Sequence, residues 1–256
     1  MLSKETTYDM PDTYRSFRGL CVWILVALLT ASSIAGRLAM ISMPIRLLLV
    51  ITLIFTIFTG LLYLARIFGA YPRLVYPAVF IFALFVTWTV LGDKPYDVEM
   101  TRAAYVWRLE SFENHSYIKN GEAHNGVDSS GLARAALWQA MLKEGIRGVN
   151  PQLLGPKLWK FWWRDLSAKD IKEGKYNYTR VVGRVVKFAD YDASKSKTGD
   201  MAIIENEHVF IYLGYGQWIE ASPDDNKVVK SKKLKDSKCK LLNKPATLVR
   251  WWVLAD

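Results

Sequence analysis

Cysteine is nearly absent from this chain: Cys21 and Cys239 are its only two among 256 residues, one inside an apolar run and the other in a lysine-rich stretch. Two cysteines so placed exclude a disulfide framework, and neither takes part in a Cys/His metal spacing. No motif asks for a metal or any other cofactor. Histidine is almost as scarce, so any imidazole chemistry must draw on His115, His124 or His208. Charge is thin at one end, where residues 1–92 carry seven Lys/Arg and three Asp/Glu. The net charge of +10 is a diffuse excess, suited to an anionic partner such as a cell-wall polymer or lipid head groups. The basic residues are mixed with acidic ones and no recognition motif accompanies them, which speaks against nucleic acid as a partner.

What fills the charge-poor end is apolar sequence. Residues 1–18 read as a polar arm with Lys4, Arg15 and Arg18, and three runs follow: Gly19 to Gly36, Leu47 to Ala65 and Leu74 to Gly92. Each is close to the length of about 20 residues that a helix needs to cross a bilayer, and none shows a polar face over its central turns. A signal peptide is excluded because the first run starts late and two more follow it. The expectation is a membrane domain of three transmembrane helices over 19–92. The excess of Lys/Arg in the arm and the second connection places the amino terminus in the cytoplasm and the rest of the chain outside it. A multi-pass protein of a bacterial inner membrane, with the lipid bilayer as partner, follows.

From 93 to 256 the composition is that of a globular domain. Asp93 to Asp97, with Pro95, reads as a hinge, and Val98 to about Glu113 as a helix. Asn114 to Val127 is loop, with Asn120-Gly121 and Asn125-Gly126 as turn signals. Ser129 to about Glu144 reads as a second helix, capped by Ser129 or Ser130 and stopped by Gly145 and Gly148. Pro151 to Lys175 holds Trp159, Trp162 and Trp163, which suit packing onto the domain, a bilayer surface or the wall of a groove. Beyond Arg180 the pattern becomes that of strands, at 181–188, 200–204, 208–213, 217–221 and 248–253. The lysine-dense stretch Lys227 to Lys240 reads as a solvated excursion. Helices first and an antiparallel sheet after is an α+β arrangement.

A side chain on the first turn of a helix faces unpaired backbone N–H groups and the positive end of the helix dipole, a favourable place for a nucleophile. An ordinary capping serine has the same signature. Two later pieces sharpen the reading. His208 heads an apolar strand, and Glu220 lies on the next one, where neighbouring strands bring side chains into contact. A carboxylate there can hold the imidazole in one tautomer.

In order, Tyr117, Gly121, Asp128-Ser129-Ser130-Gly131, Gly199-Asp200, His208-Val-Phe-Ile-Tyr-Leu-Gly214 and Glu220 resemble the NlpC/P60 family of papain-like cysteine peptidases. The resemblance covers about residues 112–225. It implies a papain-like domain over 93–256, with helices packed on a small barrel-like antiparallel sheet. It also implies a catalytic triad of Ser129, His208 and Glu220, with Tyr117, Asp128 and Ser130 binding substrate, and Tyr117 with the Ser129 N–H facing the oxyanion. The expected substrate is the peptide stem of peptidoglycan, cut between D-γ-glutamate and the diamino acid.

The chain departs from the family at the centre, where Ser129 stands at the cysteine position. A thiol near a helix start is readily held as thiolate, whereas a serine hydroxyl needs concerted proton removal. Three accounts fit: an introduced Cys-to-Ser change, a serine hydrolase, or an inactive relative. Other functional readings are an acyltransferase or lipid-directed hydrolase at the membrane surface, an antibacterial effector with an immunity or chaperone protein as partner, and a non-catalytic scaffold.

Overall fold

The computed structural model describes residues 43–67, 71–232, 234 and 239–255. The polar arm and the first apolar run lie outside them. Two compact units divide the chain, one containing Pro44–Leu84 and the other containing Phe85–Asp256.

The first described elements are the helices α1 (Met43–Ile67) and α2 (Tyr71–Leu91). Among the described residues, no helix is long and apolar enough to cross a membrane. The charges that border the apolar runs in the sequence lie within the helices: Arg46 and Arg66 in α1, Arg73 in α2. Pro77 removes a backbone donor within α2. Thr52, Thr56 and Thr59 return their hydroxyls to carbonyls one turn back in α1. The expectation of N-terminal transmembrane helices is therefore corrected. The multi-pass inner-membrane placement built on it is corrected with it.

The second unit is α+β. Its first helix, α3 (Val98–Ser111), is capped by Asp97, whose carboxylate accepts from the Met100 N–H at 3.0 Å. A two-residue ladder of β1 (Glu122–Ala123) and β2 (Gly126–Val127) leads into α4 (Ser129–Arg147). Then come the short helices α5 (Pro151–Leu154), α6 (Pro156–Trp163) and α7 (Ala168–Lys172). In α6, Leu158 and Phe161 are buried while Trp159 is exposed, so the aromatic segment is partly core and partly surface.

The remaining strands are β3 (Thr179–Val185), β4 (Met201–Ile204), β5 (His208–Gly214), β6 (Gln217–Ser222), β7 (Lys227–Ser231) and β8 (Ala246–Trp251). They form one six-stranded sheet in the order β3-β8-β4-β5-β6-β7, antiparallel at every junction. Side chains alternate across a strand, and here both faces are covered. Val209, Ile211, Leu213, Ile219 and Ala221 share a core with Leu132, Ala136, Leu137 and Ala140 of α4. Phe210, Tyr212 and Trp218 point the other way, into a core with Phe188, Leu242 and Leu248. That second layer accounts for the almost unbroken apolar runs of β4 and β5. The stretch read as solvated from Lys227 begins instead with β7, the edge strand beside β6, with Val228 buried and Lys227 exposed.

Candidate active site

The start of α4 is fixed by one carboxylate. Asp128 Oδ1 accepts from the Gly131 N–H at 2.6 Å and from the Ser130 hydroxyl at 2.9 Å, and Oδ2 accepts from the Asn120 N–H at 2.9 Å. Asp128 is thus the N-cap, rather than Ser129 or Ser130, because its two oxygens serve the helix and the preceding loop together. Ser129 is left as the first helical residue, at the positive end of the dipole. Its hydroxyl donates to the Glu207 carbonyl at 3.3 Å.

Tyr117 and Asn120 come from the loop before the helix, and the Tyr117 N–H donates to the Asn226 carbonyl at 3.0 Å. Burial raises the Tyr117 phenol above its ordinary pKa, and the Asp128 charge adds to the rise. Its hydroxyl therefore remains a donor through neutral pH. Tyr117, Asp128, Ser129, Ser130 and Glu207 line one cleft of about 630 Å³, whose far wall includes Leu166, Ser167 and Asp170.

His208 and Glu220 meet as expected. Nε2 of the imidazole lies 2.6 Å from Glu220 Oε2, and both side chains are buried. With Nε2 donating to the carboxylate, Nδ1 is the basic nitrogen. The His208 ring packs against Phe210 at 5.0 Å between centroids, whereas α4 shares its core with Val209 and Ile211. No direct hydrogen bond joins Ser129 to His208 among the described residues; the carbonyl one residue before His208 accepts the hydrogen bond of the serine hydroxyl instead. His115 and His124 are elsewhere and face each other, Nε2 to Nε2, at 3.2 Å.

Two residues near the site do not stand out as site residues in the sequence. Arg134, on α4, is buried in the cleft wall and reaches Glu122 at 2.7 Å and Asp165 at 2.5 Å. It also donates to the carbonyls of Arg164 and Leu166, at 3.1 and 3.4 Å. Burial lowers its pKa and Asp165 opposes that shift. Its signal was a single charge inside the apolar run Leu132 to Leu137. Cys239 is the other: its sulfur, a His208 ring nitrogen and a Glu220 oxygen all lie within 4.8 Å of one another. Burial pushes the Cys239 thiol up to about 11; a hydrogen bond from the Leu241 backbone opposes that rise, and the Glu220 and Asp224 charges add to it. Such a thiol is no thiolate at neutral pH, so it does not replace the sulfur missing at Ser129.

No family model and no curated protein matches the chain. Solved structures do match. One is the peptidoglycan hydrolase RipB from Mycobacterium tuberculosis, at 22% identity over 59% of this chain and 65% of that one, with a TM-score of 0.34. Another is NlpC1 from Trichomonas vaginalis, at 17% identity over 64% and 47% of the two chains, with a TM-score of 0.38. A third is the NlpC/P60 domain of the peptidoglycan hydrolase SagA, at 19% identity over 57% and 97%, with a TM-score of 0.33. The chain resembles the NlpC/P60 family. It spans less than two thirds of the RipB chain and under half of NlpC1.

Proposed function

We propose that the domain from 93 to 256 is a hydrolase of peptide stems in peptidoglycan, of the D-γ-glutamyl-diamino acid endopeptidase type, with Ser129, His208 and Glu220 at the triad positions. The observation that supports this reading is the buried His208–Glu220 pair, 2.6 Å apart, beginning one residue after the carbonyl that holds the Ser129 hydroxyl at a helix start. Glu220 orients the imidazole; Nδ1 takes the proton of the attacking group; the acyl-enzyme forms as the amine leaves with that proton; water then releases the acid. The backbone N–H of Ser129 and the Tyr117 hydroxyl are the donors assigned to the oxyanion. Asp128 and Ser130 line the subsite beside the reacting carbonyl.

The serine makes this a weakly active or inactive form. Its proton must leave in the same step as the attack, and its hydroxyl is turned to Glu207 rather than to His208. Full-length Ser129→Cys protein incubated with purified peptidoglycan is expected to release peptide fragments orders of magnitude faster than the Ser129 form, and His208→Ala in that background to abolish release. A Ser129→Cys protein as inert as the serine form on every muropeptide would remove the peptidase reading.

A further inference from the structure

The cluster of His208, Glu220 and Cys239 does something that a triad alone does not require. It joins an imidazole, a carboxylate and a sulfur from three separate segments: the head of β5, the middle of β6, and the stretch that enters the Lys240–Asn243 turn. Nitrogen, oxygen and sulfur together are a ligand set for zinc and other thiophilic divalent metals, with a fourth position left for water. The histidine and the glutamate are buried, whereas Cys239 is only half-buried, which gives an ion a way in.

We infer that His208, Glu220 and Cys239 form a site for a thiophilic divalent cation, with zinc as the best-fitting ion. The three ligand atoms lie within 4.8 Å of one another, while neighbouring ligands of a zinc tetrahedron stand about 3.3–3.8 Å apart, given bond lengths of about 2.0–2.3 Å. The set therefore closes on an ion through side-chain rotation. The Nε2–Oε2 contact of 2.6 Å is too short to be an edge of that tetrahedron, so the ion replaces this hydrogen bond. The balance is simple: three coordinate bonds form, the proton of the Cys239 thiol leaves to solvent, and the Nε2 proton is exchanged for one on Nδ1, so that the ligands are a thiolate, a carboxylate and a neutral imidazole. On the hydrolase reading, which this regulatory consequence rests on, a bound ion takes Glu220 away from the imidazole and fixes the ring. Zinc is then an inhibitor that acts behind the cleft rather than in it.

Cobalt and zinc titrations of the full chain test this without substrate. One Co²⁺ per chain is expected to bind with a thiolate-to-cobalt charge-transfer band and the visible absorption of a four-coordinate ion, and Zn²⁺ to displace it. Cys239→Ser should remove that band, and Glu220→Gln should weaken Zn²⁺ binding about tenfold or more. Cys21→Ser and His124→Asn should leave both unchanged, which separates the site from the remaining thiol and from the His115–His124 pair. In the unmutated chain, Zn²⁺ should protect Cys239 from alkylation, a measurement that needs no variant to fold. Absence of the band, its survival in Cys239→Ser, or unprotected Cys239 at saturating zinc each overturns the proposal. Because these readouts need no turnover, failure here leaves the peptidase reading standing, and an inert Ser129→Cys protein leaves the metal site standing.

Discussion

Glu220 Oε2 lies 2.6 Å from His208 Nε2 on the neighbouring strand, with both side chains buried. A carboxylate in that place fixes which imidazole nitrogen is basic and stabilises the imidazolium once it forms. Glu220→Gln keeps the shape but offers the ring an amide that can stabilise the wrong tautomer. In the Ser129→Cys background, kcat on muropeptides is expected to fall on the order of 10² to 10⁴-fold with little change in KM. Equal kcat values in the two proteins would show that Glu220 is a packing residue.

The same pair shows how far sequence reading reaches. His208 and Glu220 were legible through the order of motifs that resembles the NlpC/P60 family, together with their places on two short neighbouring strands, which can bring side chains of one face into contact. The sheet was legible for a related reason: a core on each face leaves β4 and β5 apolar on both sides. β7 was not, since an edge strand that presents Lys227 and Lys230 to solvent has the composition of a loop. The apolar runs at 47–65 and 74–92 were legible as helices but misread as spans, because composition did not show that Arg46, Arg66 and Arg73 are taken into the helices. Cys239 was invisible as a neighbour of His208, since only the folding of a later segment onto β5 and β6 joins them.

Gly131 makes a prediction with a reversed sign. A glycine inside a helix ordinarily costs about 1 kcal/mol against alanine. At Gly131, however, an added Cβ would meet the Gly121 carbonyl oxygen well inside van der Waals contact. That carbonyl also accepts the Asp128 N–H at 2.9 Å, so it cannot retreat without loosening the cap. Gly131→Ala is therefore expected to destabilise the domain by about 1–3 kcal/mol, read from its urea midpoint. Stabilisation, the usual result at a helical glycine, would rule out the close approach of the 117–121 loop.

Arg134 separates charge from shape. Its guanidinium spans Glu122, Asp165 and two backbone carbonyls at once, and an ammonium on a flexible stem cannot reproduce that fork. Arg134→Lys should lose about 1–3 kcal/mol, the scale for a buried polar group left unsatisfied. Arg134→Ala should lose about 3–5 kcal/mol, the scale for breaking a buried ion pair. Chemical denaturation of the two variants checks the order; equal losses would mean that the shape of the guanidinium, and not its charge, carries the contribution there.

Asp170 ties pH to the far wall of the cleft. Its Oδ2 accepts from the Ser167 N–H at 3.1 Å and from the Ser167 hydroxyl at 2.9 Å, closing a capping box on α7, while Lys175 Nζ lies 2.7 Å from Oδ1. Burial alone would raise the Asp170 pKa, but the hydrogen bonds from Lys175 and Ser167 outweigh it and hold the carboxyl below its ordinary 3.8. A depressed folded-state pKa contributes stability that is present above the unfolded pKa and is lost as pH falls through the folded value. The Asp170 side chain is only partly exposed, but its partner Lys175 is about half-exposed, so solvent screening holds the effect to about 1 kcal/mol or less. The stability difference between the unmutated chain and Asp170→Asn is thus expected to be flat from neutral pH down to mildly acidic pH. It should shrink below the ordinary Asp range and weaken with added salt. Lys175, raised by the same hydrogen bond, gives the opposite sign, its contribution fading only as pH rises through its folded pKa. Urea midpoints of both proteins across pH measure this, and a difference that grows on acidification would mean that Asp170 is not held as a carboxylate by Ser167 and Lys175.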